Sequence, residues 1–239
     1  MSKTTTSGAA SHERTPISTG ITGLDAVLYG GLDADRLYLL EGRPGTGKTT
    51  IALQFLLEGA RRGERALYVT LSESERELRA VAARHGWSLD NISVFELVPP
   101  EATLDPDREL TLLHPSEMEL SETTKLIFDR VNEIQPVRVV LDSLSELRLL
   151  AQSSLRYRRQ ILALKHFFAG RHSTVLLLDD LSSDAADAHL HSIAHGVITI
   201  EQMALDYGAE RRRLRVLKMR GMDFRGGYHD FTIETGGIT

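Results

Sequence analysis

The chain has 239 residues, 41% of them apolar and 26% charged, the balance of an ordinary soluble globular protein. Lys and Arg number 28 against 33 Asp and Glu, a net charge of −5. A whole-surface positive field for gripping nucleic acid is thereby excluded, and only a local basic patch stays open. With no cysteine, the chain has no disulfide, no thiol nucleophile and no Cys-ligated zinc. No apolar run nears the roughly 18 residues of a spanning helix. The opening lacks the apolar core of a secretory signal. We therefore read a cytoplasmic protein without membrane contact.

Residues Met1 to Thr15 are mostly Ser, Thr, Gly and Ala and read as a disordered tail, with one domain over 16–239. Leu37 to Leu40 is a short apolar run ending in a Gly-rich turn, a buried strand. Thr49 to Arg62 carries Ile51, Leu53, Phe55, Leu56 and Leu57 on a wide helical stripe closed by Gly63. Ala66 to Leu71 reads as a strand, Ser74 to His85 as a helix and Ile92 to Val98 as a third strand. Pro99 to Ser116 is acidic and Pro-containing and reads as an irregular excursion or lid.

A helix over Leu120 to Ile134 and a strand over Val137 to Leu141 follow, then a helix over Leu155 to Ala169 and a strand over Thr174 to Leu178. Val197 to Glu201, Leu214 to Met219 and Tyr228 to Ile233 read as short strands without intervening helices. Alternating βα units with a β-rich end give an α/β fold, a mainly parallel sheet carrying antiparallel strands at its C-terminal edge.

The strongest chemical signal is Gly42-Arg43-Pro44-Gly45-Thr46-Gly47-Lys48-Thr49, which fits G-x-x-x-x-G-K-[ST]. Glycines let successive backbone N–H groups turn inward toward phosphate oxygens, and the helix behind adds the positive end of its dipole. Lys48 reaches the β- and γ-phosphates, the Thr49 hydroxyl ligates Mg²⁺, and Thr50 completes the nucleotide-binding run. Such a pattern arises by chance on the order of once in a hundred chains. The apolar strand before it and the amphipathic helix after it make chance a poorer account still. A partner carboxylate should end another buried strand. Asp142, closing Val137 to Leu141, fits that place and would support the metal, with Asp179-Asp180 as the rival.

These motifs, together with Ile17-Ser18-Thr19-Gly20-Ile21-Thr22-Gly23-Leu24-Asp25 and Gly30-Gly31-Leu32, resemble the KaiC family. That family is a branch of RecA-like ATPases that includes the bacterial circadian-clock protein. The likeness runs from about Pro16 to the C-terminus and takes in Val139-Val140-Leu141-Asp142-Ser143-Leu144 and Lys218-Met219-Arg220-Gly221. The resemblance implies Mg·ATP bound between subunits of a hexameric ring. The chain looks like a single-domain member or the first half of a tandem protein. Residues two apart on a strand point to one side, so Lys218 and Arg220 can reach one phosphate. By the resemblance they would do so in the adjacent subunit and neutralise charge during phosphoryl transfer. The alternative is a solvated edge strand whose charges block edge pairing.

The family commonly places two adjacent glutamates after the second strand, and here the pair is Ser72-Glu73. Glu73 becomes the candidate catalytic carboxylate, against a plain first-turn role with Ser72 as helix cap. His189-Leu190-His191-Ser192 stands where clock-type members autophosphorylate, making Ser192 a candidate acceptor for serine/threonine autokinase activity. The spacing His189-x-His191-x₃-His195 reads as a polar loop, because no carboxylate or Cys pattern accompanies it. The leading function is a slow ATPase acting as switch or timer. An ATP-gated scaffold with an unnamed protein partner, an autokinase, and a DNA-dependent ATPase with a basic patch over Arg211 to Arg220, helped by Arg156 to Arg159, are the alternatives.

Overall fold

The computed structural model describes residues 16–97, 115–181, 187–204 and 208–239. The expected tail over 1–15 lies outside these residues, as does nearly all of the excursion expected over 99–116. Its last two residues, Pro115 and Ser116, instead open a helix.

In chain order the elements are α1 (Thr22–Val27), β1 (Leu37–Gly42), α2 (Lys48–Arg61), β2 (Ala66–Thr70), α3 (Glu75–Arg84), β3 (Ile92–Glu96), α4 (Pro115–Ile134) and β4 (Arg138–Asp142). They continue with α5 (Leu144–Ala151), α6 (Ser154–Phe168), β5 (Thr174–Asp180), α7 (Asp187–Ile193), β6 (Gly196–Met203), β7 (Arg211–Met219) and β8 (His229–Phe231). A two-stranded ribbon, β9 (Ile233–Glu234) and β10 (Gly237–Ile238), closes the chain.

Eight strands form one sheet in the order β3-β2-β4-β5-β1-β6-β7-β8. The six from β3 to β6 run parallel, and β7 and β8 are antiparallel additions at one edge. The strands alternate between two buried layers. Tyr38, Leu40, Tyr68, Val140, Leu176 and Ile198 pack against α1, α2 and α3. Leu39, Leu67, Val69, Val139, Leu177 and Val197 pack against α4, α5, α6 and α7. Burial on both faces is why the parallel strands read as continuous apolar runs. Within one of them Arg138 is fully buried, held by Glu64, by the carbonyls of Ser18 and Phe55, and over the Phe55 ring.

Three expectations are corrected. First, β6 is not an antiparallel addition: it pairs with β1 in parallel, reached by α7 as a crossover. Second, the polar loop expected around His191 is that helix, its Leu190 and Ile193 buried in the core. Third, Ser72 does not cap α3. Ser74 does, in a reciprocal capping box with Glu77, so Glu73 stays outside the helix. No helix among the described residues is long and apolar enough to cross a membrane.

Candidate nucleotide site

The C-terminal edge of the parallel strands brings four pieces of chain to one place. β1 ends at Gly42, level with Asp180 at the end of β5, while Thr70 of β2 pairs with Asp142 of β4. Ligands of open α/β sheets bind at such an edge, where connections diverge to opposite faces. Here α2 leaves β1 on one face and α7 crosses on the other.

Residues 42–47 make the turn between β1 and α2. Gly45 and Gly47 have φ of 83° and 109°, which only glycine adopts without strain. A Cβ on Gly42 would lie 2.7 Å from the Ile200 carbonyl and 2.8 Å from Thr46 Oγ1. Thr46 is buried and donates to the Arg43 carbonyl at 2.8 Å, bracing the loop, while Arg43, Pro44 and Gly45 are exposed at its rim. Gly47 caps α2 with no side-chain acceptor, so the first N–H groups of the helix remain for an anion. Beside the loop lies a cleft of about 670 Å³ bordered by Arg43, Pro44, Gln202, Arg215 and Tyr228. Its size is that of a small-molecule site.

Lys48 is buried, and its ammonium donates to the Gly42 carbonyl at 2.6 Å and the Arg43 carbonyl at 3.1 Å. It also pairs with Asp180 Oδ1 at 2.8 Å. Thr49 and Asp142 meet through Tyr68: the phenol donates to Asp142 Oδ2 at 2.5 Å and is itself hydrogen-bonded by the Thr49 side chain. Burial pushes the Asp142 carboxyl above its ordinary range, against the opposing pull of the Tyr68 bond and of Lys48. A hydroxyl and a carboxylate at the foot of the cradle are the hard oxygen donors that Mg²⁺ takes while keeping waters and phosphate oxygens. The donor set therefore fits that ion. Thr50, the next residue, is buried in α2.

Glu73 stands beside this group. Its backbone is fixed by Thr70, whose hydroxyl accepts from the Glu73 N–H at 3.0 Å and donates to the Glu73 carbonyl at 2.7 Å. One carboxylate oxygen is buried without a hydrogen-bond partner. Burial first, then the charges of Asp142 and Glu77, raise its pKa above the usual carboxylate range. Ser72 is exposed.

Lys48, Thr49, Asp142 and Glu73 are thus brought together, whereas Lys218 and Arg220 are not. Lys218 pairs in register with Val197, and the Arg220 N–H bonds the carbonyl of His195, whose own N–H bonds Leu37 at the start of β1. Lys218 is therefore level with Leu39 and Arg220 with Leu37, both displaced from the cradle toward the other end of the strands. The Lys218 ammonium bonds the carbonyls of His191 and Ala194, and Arg220 bonds that of Ser192. Burial, with Arg220 and Lys165 nearby, lowers the pKa of Lys218.

The rival pair at the end of β5 divides. Asp179 is engaged by Ser145 and Arg148, and Asp180 takes Lys48. Sequence reasoning missed Tyr68, which carries no signal in an apolar strand. It also missed Glu41, whose buried carboxylate takes His191 at 2.8 Å and Thr199 at 2.9 Å.

A phosphate-cradling loop at the switch point of a mainly parallel sheet, with lysine, threonine and strand-end aspartate, defines a P-loop nucleotide-binding protein of the RecA type. The family model describing the KaiC ATPases matches residues 17–239. The chain belongs to that family. A UPF0273 protein of Pyrococcus horikoshii is 31% identical over 93% of this chain and 92% of its own length. The circadian clock oscillator protein KaiC of Picosynechococcus is 27% identical over 92% of this chain, which spans 42% of that longer protein. Among solved structures, the chain is similar to a KaiC-like protein of Pyrococcus horikoshii, with a TM-score of 0.77 at 26% identity, covering 93% and 97% of the two chains.

Proposed function

We propose that this protein binds Mg·ATP in the cradle and hydrolyses it slowly at interfaces between copies of itself in a hexameric ring, as a cytoplasmic regulatory switch. The observation that carries the reading is the separation of the cradle from Lys218 and Arg220. Arg220 is level with Leu37, five strand residues from Gly42, or about 16 Å along the sheet. It is displaced sideways as well, because β7 lies two strands from β1. Lys218, level with Leu39, lies about 10 Å back from Gly42 and is likewise two strands away, so in this reading both cations serve a neighbour's nucleotide.

In this reading Lys48 exchanges its carbonyl and Asp180 contacts for the β- and γ-phosphates. Thr49 and Asp142 would hold Mg²⁺, which when bound would neutralise charge on the phosphate oxygens. Glu73 orients the attacking water and accepts its proton, a task suited to a carboxyl of raised pKa. The water oxygen bonds the γ-phosphorus as the bond to the ADP oxygen breaks, giving ADP and phosphate. Lys218 and Arg220 of the adjacent copy neutralise the charge that develops.

Steady-state ADP production with Mg·ATP, against a Lys48→Ala blank, tests the reading. Turnover above the blank is expected, and turnover equal to it, with ATP bound, contradicts it. An ATP-gated scaffold is the second reading, favoured by the exposed Ser72 where the family commonly has a glutamate. A ring that forms with ATP and persists without ADP production supports it.

A further inference from the structure

α7 touches both ends of the machinery just described, and it does so through one residue. The His191 imidazole reaches Glu41 Oε2 at 2.8 Å, and Thr199 donates to the other carboxylate oxygen at 2.9 Å. Glu41 is buried and directly precedes Gly42, whose carbonyl holds the Lys48 ammonium at 2.6 Å. A buried carboxylate is costly unless its oxygens are bonded, so this contact is held firmly on both sides.

The backbone of His191 does something else. Its carbonyl accepts from the Lys218 ammonium, as does that of Ala194 at 2.8 Å, and the neighbouring Ser192 carbonyl accepts from Arg220 at 2.5 Å. Carbonyls at the end of a helix have no further turn to bond, and cationic side chains satisfy them well. The two cations are therefore placed by the last turn of α7. That turn is placed in turn by an imidazole fixed one residue before the cradle.

We propose that His191 is a positioning residue for phosphoryl transfer in the neighbouring subunit. Its bond to Glu41 sets the last turn of α7, and with it Lys218 and Arg220, against the subunit's own nucleotide cradle. His191 touches no nucleotide and acts through the two cations it places. A change at one cradle thereby has a short, continuous route to the next site in the ring: Gly42, Glu41, His191, Lys218. The inference rests on the proposed function above.

Subunit mixing with the full chain tests it. His191→Ala is expected to lower turnover on the order of tenfold, with ATP affinity unchanged in a binding titration. His191→Gln, whose amide still donates to Glu41, is expected to recover most of the loss. Mixing His191→Ala with Lys48→Ala protein should raise ADP production above the sum of the two alone. The intact Lys218 and Arg220 of the Lys48→Ala subunits then serve the intact cradles of the other variant. An Arg220→Ala and Lys48→Ala mixture runs beside it. If that mixture recovers and the His191→Ala mixture does not, His191 acts on its own cradle and the inference is overturned. If neither recovers, the interface reading fails and takes the inference with it. Unchanged turnover in His191→Ala also overturns it. Should His191→Ala not fold, Glu41→Gln weakens the same contact and is mixed instead, with the same outcomes.

Discussion

Lys48 and Asp180 form an ion pair of 2.8 Å across the mouth of the cradle, the lysine side chain 10% exposed and the aspartate 43%. With the Gly42 and Arg43 carbonyls, Asp180 occupies all three donors of the ammonium. An arriving phosphate must displace at least one of them. A partly exposed pair contributes less than about 1 kcal/mol. Asp180→Asn is accordingly expected to tighten ATP binding about threefold in an equilibrium titration. Weaker binding would instead assign Asp180 to the metal or the phosphates.

Glu73 sets a pH dependence. Burial, then Asp142 and Glu77, raise its pKa, and only the ionised form can accept a proton. Turnover should therefore fall on the acid side at a pH above the ordinary glutamate range. Glu73→Gln should lower turnover on the order of a hundredfold and abolish that acid limb while ATP still binds. A carboxyl with a raised folded pKa gives stability that is lost as pH rises through that pKa. Glu73→Gln should consequently melt slightly higher than the parent at neutral pH, read by calorimetry.

Much of this site was legible because its chemistry demands particular residues at particular spacings. The glycines of 42–47 need positive φ or close approach, Lys48 and Thr49 follow them by necessity, and Asp142 closes a strand whose two buried faces leave an apolar run. Antiparallel β7 and β8 followed from the β-rich end of the chain. The misses share a cause too. β6 looked like its antiparallel neighbours because a strand's partner direction is not written in its own residues. α7 was hidden because polar His191 is satisfied by Glu41, a residue 150 positions away. Ser74 rather than Ser72 caps α3 because Glu77 returns the bond, a local signature that the sequence carries as Ser74-x-x-Glu77. Tyr68 and Arg138 are polar groups inside apolar strands, and only tertiary partners explain them.

The oxygen donors at the foot of the cradle predict a metal requirement. Chelation with EDTA should abolish ADP production, and added Mg²⁺ should restore it. Thr49→Ala should raise the Mg²⁺ concentration for half-maximal turnover by about tenfold, because the proposed hydroxyl ligand is lost. An unchanged Mg²⁺ dependence would remove Thr49 from that role.

Arg138 and Glu64 offer a test of stability apart from the site. The arginine is 0% exposed and its Nε lies 2.5 Å from the Glu64 carboxylate. Removing the partner leaves a buried charge without its counter-ion, which typically costs about 3 kcal/mol. Glu64→Ala should lower the melting temperature by roughly 9 °C for a chain of this size. A shift within a degree or two would mean that the Ser18 and Phe55 carbonyls hold Arg138 without it.

The proposed function requires each nucleotide to be served by two subunits. The most direct measurement is ADP production by Arg220→Ala and Lys48→Ala proteins, separately and mixed after dissociation and reassembly. Each alone should be close to inactive, the first lacking the cation in trans and the second the cradle lysine. The mixture contains sites that join an intact cradle to an intact Arg220, so it should regain a clear fraction of the parent's turnover. A mixture no more active than its parts, in rings shown to contain both proteins, would contradict the claim.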